Sequence, residues 1–200
     1  MTYSYKIEQA IRAASILHKD MVSEGKAKFP YVSHLFSVAC IIADYTDDED
    51  TIIAGLLHDT VACTGYTLKE LAEDFGQKVS ILVNEIGIPS SADTRADWKE
   101  AHARAMTQVK HASDDALIVI AADHIHRMRS VVEEGSVRFP DRIQNGSDHA
   151  VDGQMATCQG IGNVLNSRLK NDIVHEFNHV FDEYKNCIYG AKSTHTETKK

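Results

Sequence analysis

Apolar residues return at three- and four-residue intervals along almost the whole chain, and nowhere do they alternate over the length of a strand. A chain patterned this way must bury helix against helix, so the predicted fold class is all-α. Ile7, Ala10, Ile11, Ala14, Ile16 and Leu17 predict a first helix from about Tyr5 to Glu24. Pro30 suits the first residue of a second helix, Tyr31 to Tyr45. Thr46-Asp47-Asp48-Glu49 reads as a capping box opening a third helix through about Val61. Thr67-Leu68-Lys69-Glu70 reads as another, opening a helix that ends near Phe75-Gly76. Further helices are expected over Gln77 to Ile86, Trp98 to His111, Ala116 to about Glu134 behind a Ser113-Asp114-Asp115 cap, and Asp172 to Ile188. Ser90 to Asp93 reads as a loop. From Gly135 to Gly162, five glycines among Asp, Asn and Ser predict loops around one short helix.

At 200 residues the chain can bury a core without disulfide or metal staples. Residues 1–190 read as one domain and 191–200 as a flexible polar tail. A net charge of −8 argues against a nucleic acid polymer as partner, but not against a small anion in a locally basic pocket. The longest apolar runs, such as Ile52 to Leu57, are too short to span a membrane, and Met1 to Glu8 has no apolar signal core. Cys40, Cys63, Cys158 and Cys187 form no CxxC pattern, so reduced thiols and a cytoplasmic setting are expected.

Two charged clusters interrupt otherwise buried helices. His58-Asp59 closes Ile52-Ile53-Ala54-Gly55-Leu56-Leu57, and Asp123 closes Leu117-Ile118-Val119-Ile120-Ala121-Ala122. Leaving such groups unpaired in an apolar setting is costly. The bland reading pairs His58 with Asp59 or a backbone carbonyl, and Asp123 with Arg127 four residues on. The other reading makes them metal ligands together with His34, which lies one turn into the second helix. Two imidazoles and two carboxylates suit Mn, Fe or Zn better than Ca, and leave positions open for water and substrate. Such an ion lowers the pKa of water and acts as a Lewis acid on a phosphoryl oxygen.

The chain resembles the HD-domain metal-dependent phosphohydrolases, specifically the small alarmone hydrolases related to RelA/SpoT. The resemblance spans about Tyr5 to Val132. It rests on His18, Pro30-Tyr31-Val32-Ser33-His34, Val38-Ala39, Ala54-Gly55-Leu56-Leu57-His58-Asp59-Thr60-Val61, Thr67-Leu68, Phe75-Gly76-Gln77-Lys78-Val79, Ala112-Ser113 and Ala121-Ala122-Asp123. It implies the all-α HD-domain fold and a divalent metal, most often Mn2+ with Zn2+ or Fe2+ possible, held by His34, His58, Asp59 and Asp123. It also implies His58 and Asp59 at the reaction centre. The substrate it implies is a small anionic nucleotide: ppGpp or pppGpp losing its 3′ pyrophosphate, or a nucleotide such as NADPH. Lys26, Lys28, His124 and Arg127 are then expected on the phosphates and Tyr31 on the nucleoside.

The departures fall on the substrate side. Where the alarmone hydrolases carry a Glu-Asp pair after the His-Asp motif, this chain has Ala62-Cys63, and neither replaces a carboxylate base. Val22, Ser23 and Glu24 replace the usual basic residues before Pro30-Tyr31. His124-Ile125-His126-Arg127 follows Asp123 where Lys, two residues and Asn are usual, and Ala101-His102 replaces an Arg-Lys pair. A competing expectation follows: a catalytically silent HD module that binds a metal or nucleotide as a sensor or partner. Two other motifs carry less. Gly160-Ile161-Gly162 follows no strand, which a dinucleotide fingerprint requires. His175-Glu176-Phe177-Asn178-His179 matches the zinc-protease HExxH pattern, but reads as a solvated helix face. His18 is expected to pack beside the metal helices.

Overall fold

The computed structural model describes residues 3–23, 28–87, 97–145 and 148–197. Ten helices follow one another among them: α1 (Tyr5–Leu17), α2 (Val32–Ala43), α3 (Glu49–Leu57), α4 (Thr60–Cys63), α5 (Leu68–Phe75), α6 (Gln77–Ile86), α7 (Asp97–His111), α8 (Asp114–Asn145), α9 (Asp148–Arg168) and α10 (Ile173–Glu197). The described residues contain no strand, only an isolated antiparallel bridge between Val22 and Pro30.

The third helix organises the rest. Every residue of α3 from Thr51 to Leu57 is buried. A helix that is apolar all round has to be enclosed, and α1, α2, α6 and α8 pack around it. The approach of α2 is close: a Cβ on Gly55 would lie 2.3 Å from Ile42 Cδ1. α8 also packs on α2, α6, α9 and α10. One hydrophobic cluster takes in residues from Ile7 in α1 to Ile188 in α10. No helix among the described residues is long and apolar enough to cross a membrane.

The caps follow local chemistry. Thr67 and Glu70 form the expected reciprocal capping box at α5. Ser113 Oγ accepts from the Ala116 amide at 3.3 Å as α8 begins. The expected box at Thr46 is displaced. The cap of α3 is Asp48, whose carboxylate accepts from the Thr51 amide at 2.9 Å, while Thr46 Oγ1 accepts from the Asp48 amide. α1 stops at Leu17 instead of Glu24, because the chain turns at His18 to pair with the segment before α2. There Tyr31 N donates to Met21 O and Ser23 N to Phe29 O, both at 2.9 Å.

The largest difference from expectation lies between Gly135 and Gly162. It is helical, α8 running to Asn145 and α9 from Asp148 to Arg168. An internal glycine weakens a helix by about 1 kcal/mol, but it also allows close approach. A Cβ on Gly162 would come within 3.2 Å of Phe177 Cε1 in α10, and one on Gly160 within 2.4 Å of Met106 Sδ in α7. α9 thus packs through its glycines onto two neighbours. α10 likewise runs to Glu197, past the expected end at Ile188. The loop expected at Ser90 to Asp93 and the last three residues of the expected tail lie outside the described residues.

Candidate metal centre

Three helices bring the candidate ligands together. Tyr31 is the N-cap of α2, and His34 follows in its first turn. His58 and Asp59 occupy the break between α3 and α4, where the sequence predicts one continuous helix. The break turns His58 inward: its Nδ1 lies 2.8 Å from Gly55 O, so the ring donates there and directs Nε2 away from the helix. Asp123 comes from the third turn of α8.

The four side chains converge. His34 Nε2 lies 3.1 Å from Asp123 Oδ1 and 4.0 Å from Asp59 Oδ2. His58 Nε2 lies 3.2 Å from Asp59 Oδ2 and 3.7 Å from Asp123 Oδ1. One donor atom each from His34, His58 and Asp59 falls within 4.8 Å of the others. Both Nε2 atoms are buried without a hydrogen bond of acceptable geometry. Orphaned buried donors are rare and ask for an explanation. Imidazole nitrogens beside carboxylate oxygens are the donor set of a divalent transition metal, so the residues present fit such an ion.

Neighbouring groups hold the four in place. The Tyr31 hydroxyl donates to Asp59 Oδ2. Arg127, one turn after Asp123, donates through Nε to Asp123 Oδ1 at 2.7 Å and reaches Asp59 Oδ2 through Nη2 at 3.5 Å. His34 Nδ1 faces His126 Nδ1 at 2.8 Å. If His34 Nε2 is to offer a lone pair, its Nδ1 must carry the proton and His126 must accept. His126 suits that role: burial, then the neighbouring His34, lowers its pKa to about 4, so it stays neutral. His18, almost wholly buried, sets Nε2 3.4 Å from Thr60 Oγ1 beside the break, and burial pulls its pKa down.

The centre is electrostatically tight. Burial alone would lower His58, but Asp59 and Asp123 outweigh it and push its pKa up to about 10. Burial would raise Asp59, yet His58 holds it well below the usual carboxylate range. Asp123 is likewise held down against burial by Arg127, His34 and His58. Burial, followed by the charge of Asp59, raises the Tyr31 hydroxyl, which therefore remains a donor.

The residues expected around the substrate are less uniformly gathered. Tyr31 and Arg127 line the centre, but Arg127 is spent on the two carboxylates and is not free for a phosphate. Asp123 therefore forms the ion pair with Arg127 while standing beside both imidazoles. Lys28 is on the surface, its ammonium 3.4 Å from Ser23 O. Lys26 lies outside the described residues. His124 is half-buried beside Asp123 and makes no hydrogen bond to the four candidate ligands among the described residues. The residue that does is His126, three positions after Asp123 and so on the same helical face, a spacing that could have singled it out. Ala62 and Cys63 are exposed on α4, and burial together with the Asp59 charge raises the Cys63 thiol. The HExxH histidines are exposed on α10, with Phe177 between them in the core and Glu176 paired to Arg129.

The described helices have counterparts among known proteins. The chain is 35% identical over 129 residues to a Streptomyces coelicolor "GTP pyrophosphokinase", a stretch covering 63% of this chain and 15% of that protein. It therefore spans only about a sixth of the length of the curated relatives it first matches. A nearer counterpart in size is the Xenopus tropicalis "Guanosine-3′,5′-bis(diphosphate) 3′-pyrophosphohydrolase MESH1", 32% identical over 62% of this chain and 69% of that one. A solved structure described as "A metazoan ortholog of SpoT hydrolyzes ppGpp and plays a role in starvation responses" superposes with a TM-score of 0.74. It covers 92% of this chain and 98% of its own at 22% identity, which speaks to the fold. The HD domain model matches residues 9–145, from within α1 to the end of α8, and so takes in every residue that converges on the centre. The chain belongs to the HD-domain family.

Proposed function

We propose that this chain is a metal-dependent phosphohydrolase acting on a phosphate or pyrophosphate group of a nucleotide, with ppGpp as the first substrate to test. The observation that carries the reading is the pair of buried imidazole nitrogens that make no well-aligned hydrogen bond yet face two carboxylates from separate segments. The name of the Xenopus relative supports the substrate class.

His34, His58, Asp59 and Asp123 would hold the ion, Mn2+ by preference and Zn2+ or Fe2+ as alternatives. When bound, the ion supplies Lewis-acid polarisation of a phosphoryl oxygen and a lowered pKa for water. The chain's own groups do the remaining work. Tyr31 and His126 orient Asp59 and His34 through hydrogen bonds. Lys28 and Lys26 supply positive charge for anionic oxygens, Arg127, 42% exposed at the rim, joins them once it leaves the two carboxylates, and His124, kept neutral by burial, offers a hydrogen bond. Tyr31 offers its ring to the nucleoside. His58 and Asp59 stand nearest the reacting group. The exposed free thiols of Cys40 and Cys63 support a reducing, cytoplasmic setting. The hydrophobic cluster that runs from Ile7 to Ile188 among the described residues supports reading residues 1–190 as one domain.

One observation favours a second reading, a silent nucleotide- or metal-binding module. Ala62 has no proton acceptor, and the Cys63 thiol is held protonated at neutral pH. The test is incubation of Mn-loaded full-length protein with a panel containing ppGpp, pppGpp and NADPH, with His58→Ala as control. Release of pyrophosphate or phosphate that vanishes in the control supports the hydrolase. Nucleotide binding without turnover supports the silent module.

A further inference from the structure

Arg127 and a divalent ion bring positive charge to the same two carboxylates. Asp123 Oδ1 accepts from Arg127 Nε at 2.7 Å, and it is also the carboxylate oxygen of Asp123 that faces both imidazoles, 3.1 Å from His34 Nε2 and 3.7 Å from His58 Nε2. Arg127 Nη2 reaches Asp59 Oδ2, the oxygen nearest His58 Nε2. One planar guanidinium thus spans the two carboxylates of the centre, as its fork geometry allows. An ion that engages both imidazoles draws on the same two carboxylates, beside the guanidinium charge. The displaced guanidinium is 42% exposed and has solvent beside it.

We propose that Arg127 is a built-in counter-cation that competes with the divalent ion for Asp59 and Asp123, and so sets the metal affinity of the centre. The inference rests on reading the centre as a metal site. Arg127 offsets the two carboxylate charges until an ion takes its place. Metal entry requires the open arrangement, and the apparent affinity falls in proportion to how seldom Arg127 is away. A guanidinium bridged to both carboxylates for nine-tenths of the time weakens binding about tenfold. Release of Arg127 also turns it toward incoming anionic oxygens, so its two partners are taken in sequence.

The test is calorimetric titration of Mn2+ into metal-free full-length wild type, Arg127→Asn and Arg127→Lys, with melting temperatures read with and without Mn2+. Arg127→Asn should melt lower without metal, bind Mn2+ about tenfold more tightly or better, and gain more on metal addition than wild type. Arg127→Lys keeps the charge but lacks the fixed fork that reaches Asp123 and Asp59 together, so it holds the pair less firmly and its affinity should fall between. It decides the question if the Asn variant does not fold. Binding unchanged or weakened in the variants would overturn the proposal, because a merely structural ion pair has that signature. Absence of Mn2+ uptake by all three folded proteins would overturn it together with the metal-site reading, a result distinct from equal affinities.

Discussion

Restoring the two acids that this chain lacks gives the sharpest test of its chemistry. The perturbation is Ala62→Glu with Cys63→Asp. Both positions are exposed on the single turn of α4, which begins directly after Asp59, and the Cys63 amide donates to Asp59 O at 2.9 Å. New carboxylates there meet solvent, not core, so the cost in stability should stay within about 0.5 kcal/mol. Their benefit is proton handling. The Cys63 thiol, raised by burial and by Asp59, cannot accept a proton near pH 7, whereas a carboxylate can. General acid–base assistance is worth about 10²- to 10⁴-fold in rate. At about 1.4 kcal/mol per factor of ten, that is about 3 to 5 kcal/mol of barrier. The assay is release of pyrophosphate from ppGpp under single-turnover conditions, followed by anion-exchange chromatography, with metal content measured in parallel. Wild type should be slow or silent and the double variant at least about 100-fold faster at equal metal content. Brisk wild-type turnover would refute the reasoning, because another group must then be the base. So would no gain with the metal still bound, which would mean a pocket shaped for a different ligand.

The remaining predictions concern protons, positioning and packing. His58, pushed up to about 10 in the metal-free protein, must lose its proton to bind an ion, so near pH 7 metal uptake should release about one proton and affinity should climb with pH. Calorimetry in buffers of different ionisation enthalpy checks this; no proton release would show that His58 is not a ligand. Because that folded pKa is raised, the contribution of His58 to metal-free stability is full below about pH 6.5 and is lost as pH rises through 10, which denaturant titrations at pH 6 and above 10 would register. His126→Ala removes the partner of His34 Nδ1 and should weaken metal binding about 10- to 100-fold, with Asn in its place recovering part of the loss. Gly162→Leu drives a side chain toward Phe177 and should cost about 1–3 kcal/mol in thermal or denaturant melts, while Gly65→Ala, with open space around its Cβ, should be near neutral.

What the sequence makes legible depends on whether the deciding interaction is local. The α5 capping box is written in adjacent residues and appears where Thr67 and Glu70 place it. The inward turn of His58-Asp59 is also visible, because an apolar run that ends in two polar residues must deliver them somewhere. The extent of α8 and α9 is not legible. Gly153, Gly160 and Gly162 count against a helix by propensity, and the compensation at Gly160 and Gly162 comes from Met106 and Phe177, residues distant in sequence. The early end of α1 has the same cause, since the pairing of Met21 and Ser23 with Tyr31 and Phe29 is invisible to a helical period. At the centre, the candidate ligands were readable from charge within apolar helices. Between His124 and His126, the spacing of three from Asp123 points to His126, and its ring meets His34 where α8 packs on α2. Arg127 fell between two readings because it is both a partner of Asp123 and a cation beside the centre.

The split origin of the centre also fixes when it can exist. His34, His58 and Asp59 belong to α2 and to the break after α3, which pack on each other early in the chain, whereas Asp123 arrives only when α8 docks against both. On the ribosome, the first three donors emerge well before the fourth. Closing such a long stretch of chain is a late, entropically expensive step. An ion held by all three segments would therefore be gripped only on the native side of the folding barrier. It would slow the escape of α8 without hastening its arrival, so chelator resistance and unfolding half-life, not refolding rate, are where its presence would be felt.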